Sequence, residues 1–201
     1  TALERLCWMG IEPQRIALSA TVKPLQAVAR QVAGFTAPGV RRAIQTIRAD
    51  QSKAIDFRVK LPDGALDVTA NGQQIWEPLT DAFKERLNAN TSTLFFTNSR
   101  RLAEKITLKL NQEATSPLAY AHHGSLAKDI RHAVEQKLKS GKLRAIVATS
   151  SLEMGIDIGS LDEVVLIQSP PSVSASLQRI GRSGHRVGET SIGTLFPTHA
   201  H

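Results

Sequence analysis

What most constrains this chain is a set of short apolar runs with almost no polar alternation, spaced by segments of helical period. Thr93–Thr97 (TLFFT), Leu143–Ala148 (LRAIVA) and Glu163–Gln168 (EVVLIQ) are the clearest; Leu118–His122, Ile55–Leu61, Ser191–Phe196 and the shorter Arg15–Leu18 complete the set. A strand with one wet face alternates apolar and polar residues, whereas a run that is apolar throughout is buried on both faces, as in a parallel sheet covered by helices. The intervening segments supply those helices. Trp76, Leu79, Phe83 and Leu87 share one helical side, with Pro78 in the first turn, and Leu102, Ile106 and Leu110 form a second stripe. Leu126, Ile130, Val134 and Leu138 form a third, with Ser125 placed to cap it and Gly141 to stop it. A further helix is predicted near Lys23–Val32, with Pro24 in its first turn. Strands alternating with helices predict an α/β fold: a doubly wound, largely parallel sheet with helices on both faces. Residues 34–50 follow neither period and read as linker, which divides the chain into residues 1–40 and 41–201.

Sheets of this kind bind ligands in loops at the carboxyl ends of their strands. Four predicted strand-end loops carry polar residues: 97–100 (TNSR), 122–126 (HHGSL), 149–159 (TSSLEMGIDIG) and 168–172 (QSPPS). Beyond the last of them lies a predicted helix carrying Arg179, Arg182 and Arg186. At about 100° per residue, Val173, Leu177, Ile180 and Gly184 fall on one side of it and the three arginines on the other. Guanidinium groups three or four residues apart can converge on one anion, and their forked donors suit phosphate. A solvated basic face is the other reading, and the helix by itself leaves both open.

A net charge of +7 and a pI near 9.9 favour anionic partners, nucleic acid among them. Between Arg100 and Arg144 ten Lys or Arg stand against four acids, although a solvated helix surface would give the same count. Aromatic residues make up only 4% of the chain, which argues against extensive stacking on bases. Cys7 is the single cysteine, so there is no disulfide framework and no thiolate metal cluster, and a reducing, cytoplasmic setting is expected. No run approaches the roughly 18 apolar residues of a membrane span, and no membrane partner is expected. His122 and His123 are adjacent and point to opposite faces of an extended strand, while His199 and His201 share a face without a cysteine or carboxylate beside them; no metal site is expected. The chain opens on Thr1 in mid-pattern and reads as an excised fragment.

Five short segments now stand in order: Ser19-Ala20-Thr21, LFFTNSR (94–100), AHHGSL (121–126), ATSSLEMGIDIG (148–159) and QRIGRSGHR (178–186). Together they resemble the later motifs of superfamily 2 helicases. The pairing of TSSLEMGIDIG with QRIGRSGH is similar to the large helicase-related (Lhr) family of ATP-dependent DNA helicases. The resemblance implies a RecA-like fold, with residues 1–40 the end of a first, ATP-binding domain plus linker and 41–201 a second, helicase C-terminal domain. It also implies 3′-to-5′ movement on DNA and a role in DNA repair.

The same resemblance implies roles for individual residues. Arg182 aligns with an arginine finger, and Arg179 supports the helix or touches phosphate. Three residues after Arg182, where many relatives carry another arginine, this chain has His185, so a second finger is in doubt and Arg186 is the candidate to replace it. Gly155 and Asp157 match positions that approach the nucleotide, Asp157 accepting from ribose hydroxyls. Thr97, Asn98, Arg100, Gly124, Ser125, Thr149 and Ser150 match positions that grip nucleic-acid phosphates, and Ser19, Ala20 and Thr21 match a segment that couples the two domains. Local readings compete: Asp157 as a turn residue, Ser125 as a helix cap, Thr149 as the satisfier of a strand end, Arg100 as surface charge, Ser19 and Thr21 as an N-cap. The chain has no GxxxxGK[ST] loop, and no acidic Asp-Glu box precedes the Ser19 motif. ATP and Mg²⁺ are therefore expected to be held mainly by an upstream domain, and the fragment alone is not expected to hydrolyse ATP. The expected partners are single-stranded DNA or a DNA-containing duplex, with RNA possible, and the first RecA-like domain of the same chain. The alternative is a non-catalytic RecA-like nucleic-acid-binding module, and Arg182 discriminates between the two.

Overall fold

The computed structural model describes residues 2–19, 22–48, 53–62, 75–153, 159–184 and 188–198. Two compact units divide the chain between Ser52 and Lys53.

The first unit holds helices α1 (Ala2–Trp8) and α2 (Leu25–Ala33) and a small antiparallel pair, β1 (Phe35–Ala37) with β2 (Val40–Arg41). That pair lies in the stretch the sequence reads as linker. The strand expected at Arg15–Leu18 does not form: among the described residues the segment has no neighbouring strand to bond with, and Ile16 and Leu18 are 76% and 95% exposed. Apolar burial in this unit is slight, with Ala29 and Ala33 the described hydrophobic residues inside it. Charge does more of the holding. Arg15 Nη1 donates to Glu4 Oε1 at 2.8 Å and to the Ala33 carbonyl at 2.9 Å, and Arg42 Nε donates to Glu12 Oε1 at 2.6 Å. Both cations gather at the C-terminal end of α2, where the helix dipole favours positive charge.

The second unit runs β3 (Ile55–Val59), α3 (Trp76–Ala89), β4 (Thr93–Phe96), α4 (Arg100–Asn111), β5 (Ala119–His122), α5 (Lys128–Lys139), β6 (Ala145–Ala148), a 3₁₀ turn (Ser150–Leu152), β7 (Glu163–Ile167), α6 (Val173–Ile180) and β8 (Ser191–Phe196). The six strands form one sheet in the order β3-β8-β7-β4-β6-β5, every neighbouring pair parallel. This is the doubly wound α/β sheet expected.

Burial on both faces explains the apolar runs. Phe95 of β4 faces α3 and α4, in a layer with Leu79, Phe83, Ile106 and Val165; Leu94 and Phe96 face α5 and α6, with Val134, Ile146 and Ile180. Phe83 meets Phe95 and Phe196 edge to face, with ring centroids 5.3 Å apart in each case. Adjacent strands β4 and β7 send the chain to opposite faces, into α4 and α6. The resulting crevice at their carboxyl ends is the topological switch point where sheets of this kind bind ligands.

Several local expectations differ from the structure, among them Ile130, expected on the core face of α5 and in fact 53% exposed. Ser125 does not cap α5, which starts at Lys128 with no side-chain cap; the serine hydroxyl instead accepts from Arg100 Nη1. Side-chain caps come from serines on other helices: Ser99 Oγ accepts from the Leu102 amide at 3.2 Å and opens α4, and Ser172 Oγ accepts from the Ala175 amide at 3.1 Å and opens α6. Helix α6 ends at Ile180, so Arg182 lies beyond it and Arg186 outside the described residues. Its orientation also differs: Val173 and Leu177 are 76% and 40% exposed, while Arg179 is 3% exposed.

Candidate functional site

The site builds from the turn that follows α6, residues 181–184 (GRSG). Ser183 is fully buried; its Oγ donates to the Ile180 or Ile192 carbonyl, each 2.9 Å away, and accepts from the Ile192 amide at 2.9 Å. Gly184 sits at φ +60°, and a Cβ there would fall 2.5 Å from the Thr190 carbonyl oxygen, so the position needs glycine on both counts. Lys53 Nζ donates to the Ser183 carbonyl at 2.7 Å and the Gly181 carbonyl at 3.3 Å. Within this braced turn Arg182 is the residue with a long side chain. Its guanidinium is half-buried, and desolvation pulls it below the ordinary arginine pKa. Its Nη2 donates to the Glu153 carbonyl at 2.6 Å.

Glu153 joins both arginines. Its Oε1 accepts from Arg179 Nε at 2.8 Å and from Nη2 at 2.6 Å. Arg179 also lies over the Phe96 ring, 5.1 Å from the centroid, and its Nη1 donates to Asn98 Oδ1 at 3.3 Å. Asn98 Nδ2 in turn donates to the Ser169 carbonyl at 2.8 Å. One connected set of contacts therefore spans the loops after β4, β6 and β7 and the end of α6, across the switch point. Gln168, at the end of β7, has φ +72°, a left-handed conformation rare for a residue with a side chain, and it lies beside this junction.

The loop residues singled out from sequence divide by exposure. Asn98, Arg100, Gly124, Ser125 and Ser150 are exposed along the carboxyl edge, and Thr149 is half-buried with its amide donating to the His122 carbonyl at 3.2 Å. Thr97 is fully buried; its hydroxyl donates to the Ser99 carbonyl at 2.9 Å and shapes the loop from inside. Arg100 and Ser125 meet across the edge, joining the loops after β4 and β5. Ser19 is exposed in the first unit. Ala20, Thr21, Gly155, Asp157, His185 and Arg186 lie outside the described residues, as do His199 and His201.

The paired histidines go to opposite sides. His122 Nε2 lies 2.9 Å from Glu135 on α5 and its Nδ1 2.8 Å from Ser151 Oγ, while His123 Nε2 lies 2.7 Å from Glu104 on α4. No group of three His, Cys, Asp or Glu positioned to hold a metal occurs among the described residues. Nor is any helix among them long and apolar enough to cross a membrane.

Sequence reasoning passed over Glu153, Ser183 and Lys53. The first two lie inside the quoted motifs, but nothing in their spacing marks one as the partner of two arginines or the other as a buried anchor. Lys53 gives no local signal, since its acceptors lie 128 and 130 residues further on.

A half-buried guanidinium, exposed amide and hydroxyl groups and a basic side chain along one strand-end edge form a donor set for phosphate oxygens. Residues 76–187 match the helicase conserved C-terminal domain family. The chain belongs to this family, in the Lhr group of superfamily 2 helicases. It is 40% identical over 98% of its length to a Mycolicibacterium smegmatis protein named Lhr helicase/probable uracil glycosylase, covering 15% of that protein. It is 42% identical over 97% of its length to ATP-dependent helicase Lhr-Core protein 2 of Thermococcus barophilus, covering 23% of it. The solved structure of Mycobacterium smegmatis helicase Lhr bound to ssDNA and AMP-PNP superposes with a TM-score of 0.87 at 44% identity, covering 98% of this chain and 26% of that one. S. cerevisiae Dbp5, bound to RNA and ADP BeF₃, shares the fold at a TM-score of 0.65 and 17% identity. The chain thus spans about a quarter or less of the Lhr relatives it matches.

Proposed function

We propose that this chain is the second motor domain of an ATP-dependent DNA helicase or translocase, preceded by the end of the first. Residues 1–40 belong to that first RecA-like domain and its linker, and 41–201 to the second. The observation that carries this reading is Arg182: a partly desolvated guanidinium on a turn braced by Ser183, Gly184 and Lys53 and joined through Glu153 to the edge where Asn98 lies. A guanidinium shorn of part of its hydration gains more from an incoming anion than one free in water. The match to an Lhr structure bound to AMP-PNP and ssDNA supports both ligand classes.

ATP, when bound by the preceding domain with Mg²⁺, supplies the phosphoryl group. Arg182 donates N–H groups to the oxygens on which charge accumulates as that group is transferred, the role of an arginine finger. Arg179, buried against Glu153, orients the end of α6 rather than reaching the nucleotide. Gly155 and Asp157 approach the nucleotide by family match, with His185 or Arg186 flanking Arg182. The donor set of the described edge fits phosphate oxygens, while Mg²⁺ is assigned to carboxylates of the first domain. Single-stranded DNA, or the single strand of a DNA duplex, lies along the edge formed by Asn98, Arg100, Gly124, Ser125, Thr149 and Ser150, with Thr97 shaping the loop from below; RNA offers the same phosphates. Ser19, Ala20 and Thr21 couple the two domains. A cytoplasmic setting, a part in DNA repair and the dependence of ATP hydrolysis on the first domain belong to the same reading.

The test is Arg182→Ala in the full-length protein. DNA-stimulated ATP turnover falls by about 10³-fold or more, while affinity for single-stranded DNA stays within a few fold. Unchanged turnover sinks the motor assignment and leaves a nucleic-acid-binding module.

A further inference from the structure

Lys53 is the first residue of the second unit, two residues before the edge strand β3. Its ammonium bonds the carbonyls of Gly181 and Ser183, the residues on either side of Arg182. These carbonyls lie at the C-terminal end of α6, where the helix dipole concentrates partial negative charge and attracts a cation. A second set of bonds ties the same two segments: the Ser191 amide donates to the Ala54 carbonyl at 2.9 Å, and Ser191 Oγ donates to the Ser183 carbonyl at 2.9 Å. The segment that enters the second unit is therefore bonded to the Arg182 turn both directly and through β8.

We propose that Lys53 is a positioning residue for Arg182, which holds the 181–184 turn in register with the start of the edge strand β3. This rests on the reading of Arg182 as a phosphate-directed donor. Ser183 and Gly184 set the shape of the turn, but both act within α6, β8 and the loop between them. Lys53 adds a tether from outside that group, at the point where the chain passes from one unit to the other. Burial pulls the Lys53 ammonium below the ordinary lysine pKa, with Glu189 acting in the opposite sense, so the group is partly withdrawn from water and depends on its two acceptors.

The experiment compares Lys53→Met, Lys53→Arg and Arg182→Ala in the full-length protein. Three quantities are read: DNA-stimulated ATP turnover, binding of ADP with and without aluminium fluoride, and the thermal midpoint. Lys53→Met keeps the side-chain length and removes the charge and donors. Its turnover falls by about tenfold to a hundredfold, because a misplacement near 1 Å is enough to cost that much. Its affinity for ADP with aluminium fluoride falls in parallel, while affinity for ADP alone and for single-stranded DNA is unchanged. Lys53→Arg, which restores a cation with donors for two carbonyls, recovers most of both.

Normal turnover in Lys53→Met alongside lost turnover in Arg182→Ala overturns the role of Lys53 and leaves the motor reading standing. Normal turnover in both variants overturns the motor reading and this inference with it. Should Lys53→Met fail to fold, Lys53→Arg decides: a stable Lys53→Arg protein with normal affinity for ADP plus aluminium fluoride supports the tether, and one with that affinity lost overturns it. A fall in turnover matched by an equal loss of ADP affinity, without rescue by arginine, marks a purely structural lysine and also overturns it.

Discussion

Two arginines three residues apart on one motif end in different environments. Arg179 is 3% exposed and closed in by Glu153, Asn98 and the Phe96 ring, so its charge is spent inside the protein. Arg182 is half-buried on a braced turn at the edge. Helical spacing put them on one cationic side and gave no means of telling them apart, because the difference lies in Glu153, which reaches Arg179 from the loop after β6. The two should separate by stability. Glu153→Ala leaves a buried guanidinium without its carboxylate, which costs about 3 kcal/mol. In a domain of this size that corresponds to a fall of roughly 10 °C in the thermal midpoint. Asn98→Ala removes two hydrogen bonds, one from Arg179 at 3.3 Å and one to the Ser169 carbonyl at 2.8 Å, but strands no carboxylate-paired charge, and costs about 1 kcal/mol. Thermal unfolding of the two variants checks the order; equal midpoints would show that Glu153 does not carry the Arg179 charge.

At the level of elements, the strands were legible because burial on both faces forces apolar runs, and TLFF, AIVA and EVVLI each became a strand of the central sheet. Helices α3 and α4 followed their apolar stripes for the same reason, with Leu79, Phe83, Leu87, Ile106 and Leu110 all inside. What local pattern could not give was the outcome of competition between distant groups. Ser125 has the chemistry of a cap, yet Arg100 takes its hydroxyl and α5 starts with no side-chain cap. The segment Arg15–Leu18 has the composition of a strand but no described neighbour to pair with. Helix α6 has an apolar stripe that points largely outward, because the helix is seated by its last turn. Ile180 is 1% exposed and presses on Gly193, where an added Cβ would stand 2.7 Å from Ile180 Cγ1. Residues on one stripe of α6 should therefore respond unequally. Ile180→Ala costs about 3 kcal/mol by opening a cavity over β7 and β8. Val173→Ala, at 76% exposure, stays within about 0.5 kcal/mol. Chemical denaturation of both variants tests this, and a large loss for Val173→Ala would mean that α6 packs on its predicted side.

Across the whole chain, the two units are held by different forces, and acidity should separate them. The second unit also holds ion pairs, Arg179 with Glu153 and Arg86 with Glu163, but most of its stability comes from two apolar layers buried against its sheet, an interaction that is insensitive to pH. The first has little apolar burial among its described residues and relies on Arg15 and Arg42 meeting Glu4 and Glu12 and the end of α2. The hydrogen bond from Arg15 is the main reason that Glu4 titrates below its ordinary value of 4.5, and the bond from Arg42 does the same for Glu12. A carboxyl whose pKa is lowered by folding contributes stability that is fully present above the ordinary value and is lost as pH falls through the lowered one. The first unit should thus loosen below pH 4.5 while the sheet of the second persists. Amide hydrogen exchange, corrected for its intrinsic pH dependence, reads this directly: protection in α1 and α2 falls first, and β4, β6 and β7 stay closed. Glu4→Gln combined with Glu12→Gln weakens the first unit at neutral pH and flattens its acid response. If α1 and α2 kept their protection until β4 and β7 opened, the ionic cluster would not be what holds the first unit.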